Sequence, residues 1–415
     1  MVSFRRWSVV LLLGGYLSGG EAAEFPPIQA EFSGKFLLPA LPEAPPADWR
    51  VTITPVTGGG RHLEATVTMP GGRLRATAEL DAALANGRWE IAEGELDAAA
   101  WLALLAPKLG SSMENIRVEG RLELHGKGEI KSGQPSGAVS VVWSEGAMRN
   151  PVEGWRLDGI TLKGALTADP ADFGTLRSDQ PWELGVRTIT SQRFGARNLA
   201  VTAKLNGDGT ASLLSAGIEI AGGTVTIDPA TVAVFPPVLD FTVHVDRIGL
   251  QDLVALVPAS LADARGRIGG VVRLGWSQTA GIQVGAGGFT LRSDEAATLR
   301  LTPTPGLITG NVPERLALLP GWTGTIGKWF APLNPVFGDV SEIELGRTPL
   351  AIETFELRLM PNGDEQGRSA VVRISARPDK TGTLVKRVVF DIDLTGSLSR
   401  LLNLNAGGRA TLRIH

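Results

Sequence analysis

The stretch Phe241–Leu291, FTVHVDRIGLQDLVALVPASLADARGRIGGVVRLGWSQTAGIQVGAGGFTL, decides how the rest of the chain is read. Phe241, Val243 and Val245 alternate with polar residues and predict a strand buried on one side, because side chains in a strand point to opposite faces in turn. Leu253, Leu256 and Val257 fall at i, i+3 and i+4 and predict a short helix over Gln251–Val257, stopped by Pro258. A glycine-jointed strand follows over Arg265–Trp276, then another over Ile282–Leu291. The unit is a sheet with a small helix on its edge.

The same pattern occurs three times. Trp101, Leu104 and Leu105 repeat the helical stripe before Pro107, predicting a helix over Ala98–Ala106, and Leu398, Leu401 and Leu402 repeat it over Ser397–Leu402. The offsets are 253 − 101 = 152 and 398 − 253 = 145 residues, so the chain reads as an array of duplicated modules, which implies an elongated molecule. The expected division is a signal peptide over 1–22, an N-terminal β module over 24–110, a central β module over 111–260 and a C-terminal module over 261–415.

Composition agrees with a sheet protein. With 43% hydrophobic and 20% charged residues in 415, the chain has material for two or three cores or one extended array. Fifty-two glycines and 26 prolines suit many tight turns. A net charge of −3 argues against nucleic acid as a partner. The absence of cysteine removes disulfides, thiolate catalysis and cysteine zinc sites together.

Arg5 and Arg6 precede an apolar run, Trp7–Leu17, and a small-x-small site at Gly20-Glu21-Ala22, the pattern of an export signal cleaved near Ala22. The run is about half the ~20 residues that span a bilayer. The alternative is a short uncleaved anchor in the inner membrane. No cysteine follows the apolar run, so a lipoprotein is excluded.

In the mature chain, Glu24–Asp48 is proline-rich and reads as an extended edge or linker. A meander follows over Val51–Val56, Leu63–Met69, Leu74–Leu80 and Trp89–Leu96, with hairpin turns at Gly71-Gly72 and Asn86-Gly87. Ile116–Ile130 reads as one long strand of about 50 Å, with Ile116, Val118, Leu122, Leu124 and Ile130 on one face and charged residues on the other. Gly120, Gly126 and Gly128 are positions where it can bend. Pro303–Pro335 interrupts the alternation, with short helices expected over Pro313–Leu319 and Trp322–Phe330.

Catalytic signals are sparse. The four histidines, His62, His125, His244 and His415, show no metal-ligand spacing. Gly321–Trp329 (GWTGTIGKW) has Trp322 where a phosphate loop needs glycine and Trp329 where it needs Ser or Thr. Gly285-Ala286-Gly287-Gly288 is followed by a strand and lacks dinucleotide-loop spacing. No nucleophile elbow is present. The expected function is therefore non-enzymatic, with no cofactor and no metal.

Leu250–Ser293, with its short "DL…L" helix, its G-x-I-x-G strand and the run GIQVGAGGF, resembles the C-terminal region of the YdbH-like branch of the AsmA-like proteins, also labelled a dicarboxylate transport domain. Val388–Leu404 (VVFDIDLTGSLSRLLNL) is similar to that family's closing segment. The resemblance implies a periplasmic protein with a long, curved antiparallel β-sheet, an open groove, whose apolar inner face carries phospholipid between the two membranes of a Gram-negative envelope. On that reading Leu122, Leu124, Val272, Leu274 and Trp276 line the lipid-binding groove. The terminal strand residues Ala410, Leu412 and Ile414 offer an edge to an envelope partner by β-augmentation. The alternative is an envelope scaffold that buries the same face in a closed core. A dicarboxylate carrier would need membrane spans, which the mature sequence lacks.

Overall fold

The computed structural model describes residues 29–36, 46–109, 115–169, 172–191, 195–234, 238–251, 261–277, 281–316, 332–396 and 409–414. Among the described residues strands make up 67% and helices 7%, so the protein is mainly β and antiparallel, as the period-two runs predict. It divides into two compact units, 1–218 with 229–237 and 219–228 with 238–415.

The first unit contains β1 (Ala30–Phe36), β2 (Ala47–Pro55), β3 (Arg61–Met69), β4 (Gly72–Leu80), β5 (Gly87–Asp97), α1 (Ala98–Leu109), β6 (Arg117–Glu119), β7 (Arg121–Lys131), β8 (Gln134–Asn150) and β9 (Trp155–Asp169). It continues with β10 (Asp172–Arg177), β11 (Trp182–Thr190), β12 (Gly195–Leu205), most of β13 (Thr210–Ile220) and β15 (Ala230–Ala233). Its ladder runs β1–β2–β3–β4–β5–β7–β8–β9–β11–β12, every pair antiparallel. The second unit contains β14 (Gly223–Ile227), β16 (Val238–Gly249), β17 (Leu261–Arg265), β18 (Arg267–Ser277), β19 (Gly281–Leu291), β20 (Thr298–Leu301), α2 (Pro335–Glu344), β21 (Leu350–Leu359), β22 (Arg368–Pro378), β23 (Val388–Thr395) and β24 (Arg409–Ile414). Its ladder is β14–β16–β18–β19–β21–β22–β23–β24, with β17 and β20 joined to it through β21.

Helix α1 forms where the stripe predicts it. Asp97 caps it, its carboxylate accepting from Ala100 N–H at 2.8 Å. It ends at Leu109 rather than Ala106, because Pro107 in the final turn forfeits only one backbone bond there. Leu250 and Gln251 have helical backbone; the rest of Gln251–Val257, and all of Ser397–Leu402, lie outside the described residues.

Two expectations are corrected. Ile116–Ile130 is two strands rather than one, because Gly120 takes φ +117° between β6 and β7, a backbone conformation that breaks the ladder and favours glycine. Pro313–Leu319 holds no helix at its described end: Arg315 instead makes an isolated bridge to Leu333. Among the described residues, this region holds a 3-10 turn at Thr309–Asn311, and α2 starts at the region's end, with the Asn334 side chain accepting from Val336 N–H at 3.1 Å and Pro335 in the first turn. Trp322–Phe330 lies outside the described residues.

The second unit has a closed core. Ile268, Leu299, Leu301, Ile343, Leu350 and Phe390 are all at most 2% exposed, with α2 contributing Ile343. The Glu344 carboxylate beside it is also buried, and it accepts from the N–H groups of Gly306 at 2.5 Å, Ile308 at 2.6 Å and Thr309 at 2.6 Å. Burial pushes its pKa up, but these backbone donors outweigh that and hold it below the usual glutamate value. One carboxylate thus ties the 306–309 turn to the end of α2.

Candidate functional site

Cross-strand register brings the apolar residues of the first unit into rows that run across the strands. One row is Leu96, Leu122, Trp143, Leu162, Leu184 and Val201, each paired with the next from β5 to β12. Beside it, Trp49, Val67, Leu74 and Gly94 pair in turn, and Leu124, Val141 and Gly164 continue on β7, β8 and β9. Two further rows contain Ile91 with Gly126 and Val139, and Trp89 with Gly128 and Gly137. Four rows two residues apart make a face roughly 20 Å wide. Ten strands extend it about 43 Å along the sheet.

This face is apolar yet not closed. Leu74, Leu96, Leu122, Leu124, Trp143 and Leu162 are all half-buried, interspersed on the same face with buried Val51, Val67, Ile130, Ile160 and Val186. Among the described residues, the charged side chain on the face is Arg61 at a strand end, 5% exposed and donating to the carbonyl of Gly60 at 3.1 Å. The opposite face is charged and internally paired: Arg75 meets Glu64 at 2.6 Å and Glu93 at 3.5 Å, and the Glu64 hydrogen bond raises the Arg75 pKa. A sheet with one charged side and one half-exposed hydrocarbon side offers the latter to an apolar ligand.

Four tryptophans pave that face, each over a glycine. A Cβ on Gly34 would come within 2.9 Å of Trp49 Nε1, one on Gly128 within 2.7 Å of Trp89 Nε1, one on Gly120 within 2.5 Å of Trp143 Nε1, and one on Gly164 would overlap the Trp182 ring. Only glycine lets the rings lie this low. Trp89 Nε1 donates to the Ser136 carbonyl at 3.0 Å. Trp143 Nε1 and Trp182 Nε1 are buried without a hydrogen-bond partner among the described residues.

The groove residues expected from sequence divide between the units. Leu122 and Leu124 belong to the rows of the first unit; Val272, Leu274 and Trp276 lie along β18 in the second, all on the face opposite exposed Val271 and Arg273. Val272 is buried at 7%. Leu274, opposite Phe241, and Trp276, opposite Leu239, are half-buried and stand outside the closed core that holds Ile268. Ala410, Leu412 and Ile414 lie on β24, opposite Leu394, Ile392 and Phe390 of β23.

The tryptophan–glycine pairs are absent from the sequence reading. For Trp49 and Trp89 the signal is a glycine opposite on the next strand, Gly34 and Gly128, visible once the register is known; Trp143 faces Leu122 and Leu162 and instead lies over Gly120 and Gly146.

Comparison with known proteins bears on what such a face carries. The family model YdbH-like, described as intermembrane phospholipid transport protein YdbH, matches residues 43–317, which includes most of the first unit as well as the Leu250–Ser293 stretch. The chain belongs to the YdbH-like family. A search of curated proteins finds no match.

Proposed function

As a member of the YdbH-like family, we propose that this protein is a periplasmic, non-enzymatic carrier that conducts phospholipid between the inner and outer membranes, binding it on the apolar side of its sheets. The observation that carries the reading is the half-exposed hydrocarbon face of the first unit, continued in kind by Leu274 and Trp276 in the second. Removing an acyl chain from water onto such a face is favourable by ~0.8 kcal/mol per methylene, whereas a headgroup charge placed there would be strongly unfavourable. Lipid therefore binds by its hydrocarbon.

Export by a signal peptide cleaved near Ala22 belongs to this reading, with a short inner-membrane anchor as its alternative. So does pairing of β24, through Ala410–Ile414, with a strand of an envelope protein; β23 occupies one side of β24.

A second reading, an envelope scaffold, is favoured by the sealed core around Ile268 and Phe390. A photoreactive phenylalanine analogue separates the two. Placed at Leu124 or Leu274 it should crosslink labelled phospholipid in cells, and placed at Glu123 on the charged face it should not. Crosslinking from none of the three positions favours the scaffold.

A further inference from the structure

We propose that the indole rings of Trp49, Trp89, Trp143 and Trp182 are the surface that the lipid's hydrocarbon touches in the first unit, and that the glycines beneath them set its depth. This rests on the carrier reading above and adds the residues that position the chain.

Three observations lead to it. The rings lie over positions where a Cβ would collide with them, so glycine keeps them flat against the backbone instead of standing in the path. The rings are half-buried, leaving surface to cover. Their N–H groups are already withdrawn from water in three cases: Trp89 donates to a carbonyl, and Trp143 and Trp182 hold theirs buried without partners. An unpaired buried N–H has lost its water before any ligand arrives. Covering the Trp89, Trp143 and Trp182 rings with hydrocarbon therefore breaks no hydrogen bond from their N–H groups to water, and those N–H groups offer nothing to a sugar or peptide. Trp155 is the contrast. It sits at the hairpin end of β9 with its Nε1 donating to Glu153 at 2.8 Å.

The test uses the full chain and phosphatidylcholine vesicles whose acyl chains carry bromine, which quenches indole fluorescence on contact. Lipid loading is measured in parallel by native mass spectrometry. The expected result is quenching in the wild type that is partly lost in each of Trp49→Phe, Trp89→Phe, Trp143→Phe and Trp182→Phe and unchanged in Trp155→Phe. Should a variant fold poorly, oxidative footprinting of the wild-type chain gives the same answer through lipid-dependent protection of Trp143 and Trp182. Normal lipid loading with no effect of the four substitutions and no protection overturns this inference while leaving the carrier reading intact. No lipid on the wild-type chain overturns both.

Discussion

The backbone N–H of Leu250 donates to the carbonyl of Gly266 at 2.9 Å, and Ala98 donates to Gly120 in the same way at 3.0 Å. The correspondence continues around each bond. Gly120 and Gly266 have φ +117° and +122°, each is followed by an arginine that opens a long strand, and the residue before each donor bonds back to a hairpin turn, Asp97 to Gly71 and Gly249 to Ala221. The two stretches with matching leucine spacing, around Ala98 and around Leu250, thus share a hydrogen-bonded junction.

Gly266→Ala should test that junction. The substitution places a side chain at a positive φ, costing about 1–3 kcal/mol, and its Cβ would lie 2.6 Å from the Ala297 Cβ. A urea titration should show a lower midpoint with an unchanged slope. An unchanged midpoint would mean the junction tolerates side chains and is not a constraint on the repeat.

Leu274 and Ile268 lie six residues apart on β18, but only Ile268 belongs to the closed core. Leu274→Asp should leave the far-ultraviolet circular dichroism spectrum intact and remove bound lipid. Ile268→Asp should unfold the second unit, since a carboxylate without partners in a core costs several kcal/mol. Unfolding by Leu274→Asp would make its surroundings core and weaken the carrier reading.

Glu344 predicts a pH dependence. Its folded pKa lies below the ordinary glutamate value, so the stability it contributes is complete above that ordinary value and is lost as pH falls through the folded one. Glu344→Gln should cost about 1.5–3 kcal/mol at neutral pH and flatten the acid limb of the stability curve. A parallel limb in the variant would place the acid sensitivity elsewhere.

Gly164 and Trp182 should behave as a coupled pair. Gly164→Ala overpacks against the ring and is expected to destabilise by about 1–3 kcal/mol while lowering lipid load, because the lifted indole obstructs the face. Adding Trp182→Leu should restore both. Extraction and mass spectrometry of bound lipid, together with thermal melts, read the cycle; a load unaffected by Gly164→Ala would show that ring height is immaterial.

Strand existence was legible because alternation at period two is local: β2 to β5, β7, β18 and β19 each announce their faces residue by residue. Helix α1 was legible from Trp101, Leu104 and Leu105 for the same reason. Helix α2 was not, because Asn334-Pro335 sits at the end of a proline-rich run whose turn signals mask the spacing of Val336, Val340 and Ile343. The break at Gly120 required knowing its φ rather than its identity. The tryptophan paving depends on pairings between strands distant in sequence, such as Trp89 with Gly128, and no local pattern reports them.

Native mass spectrometry of the full chain, purified from cells without detergent exchange, reads directly whether its apolar faces hold phospholipid. The wild-type protein should carry phospholipid-mass adducts that are lost in Leu274→Asp. A wild-type protein that sprays at its bare polypeptide mass, folded and free of lipid, would contradict the carrier reading.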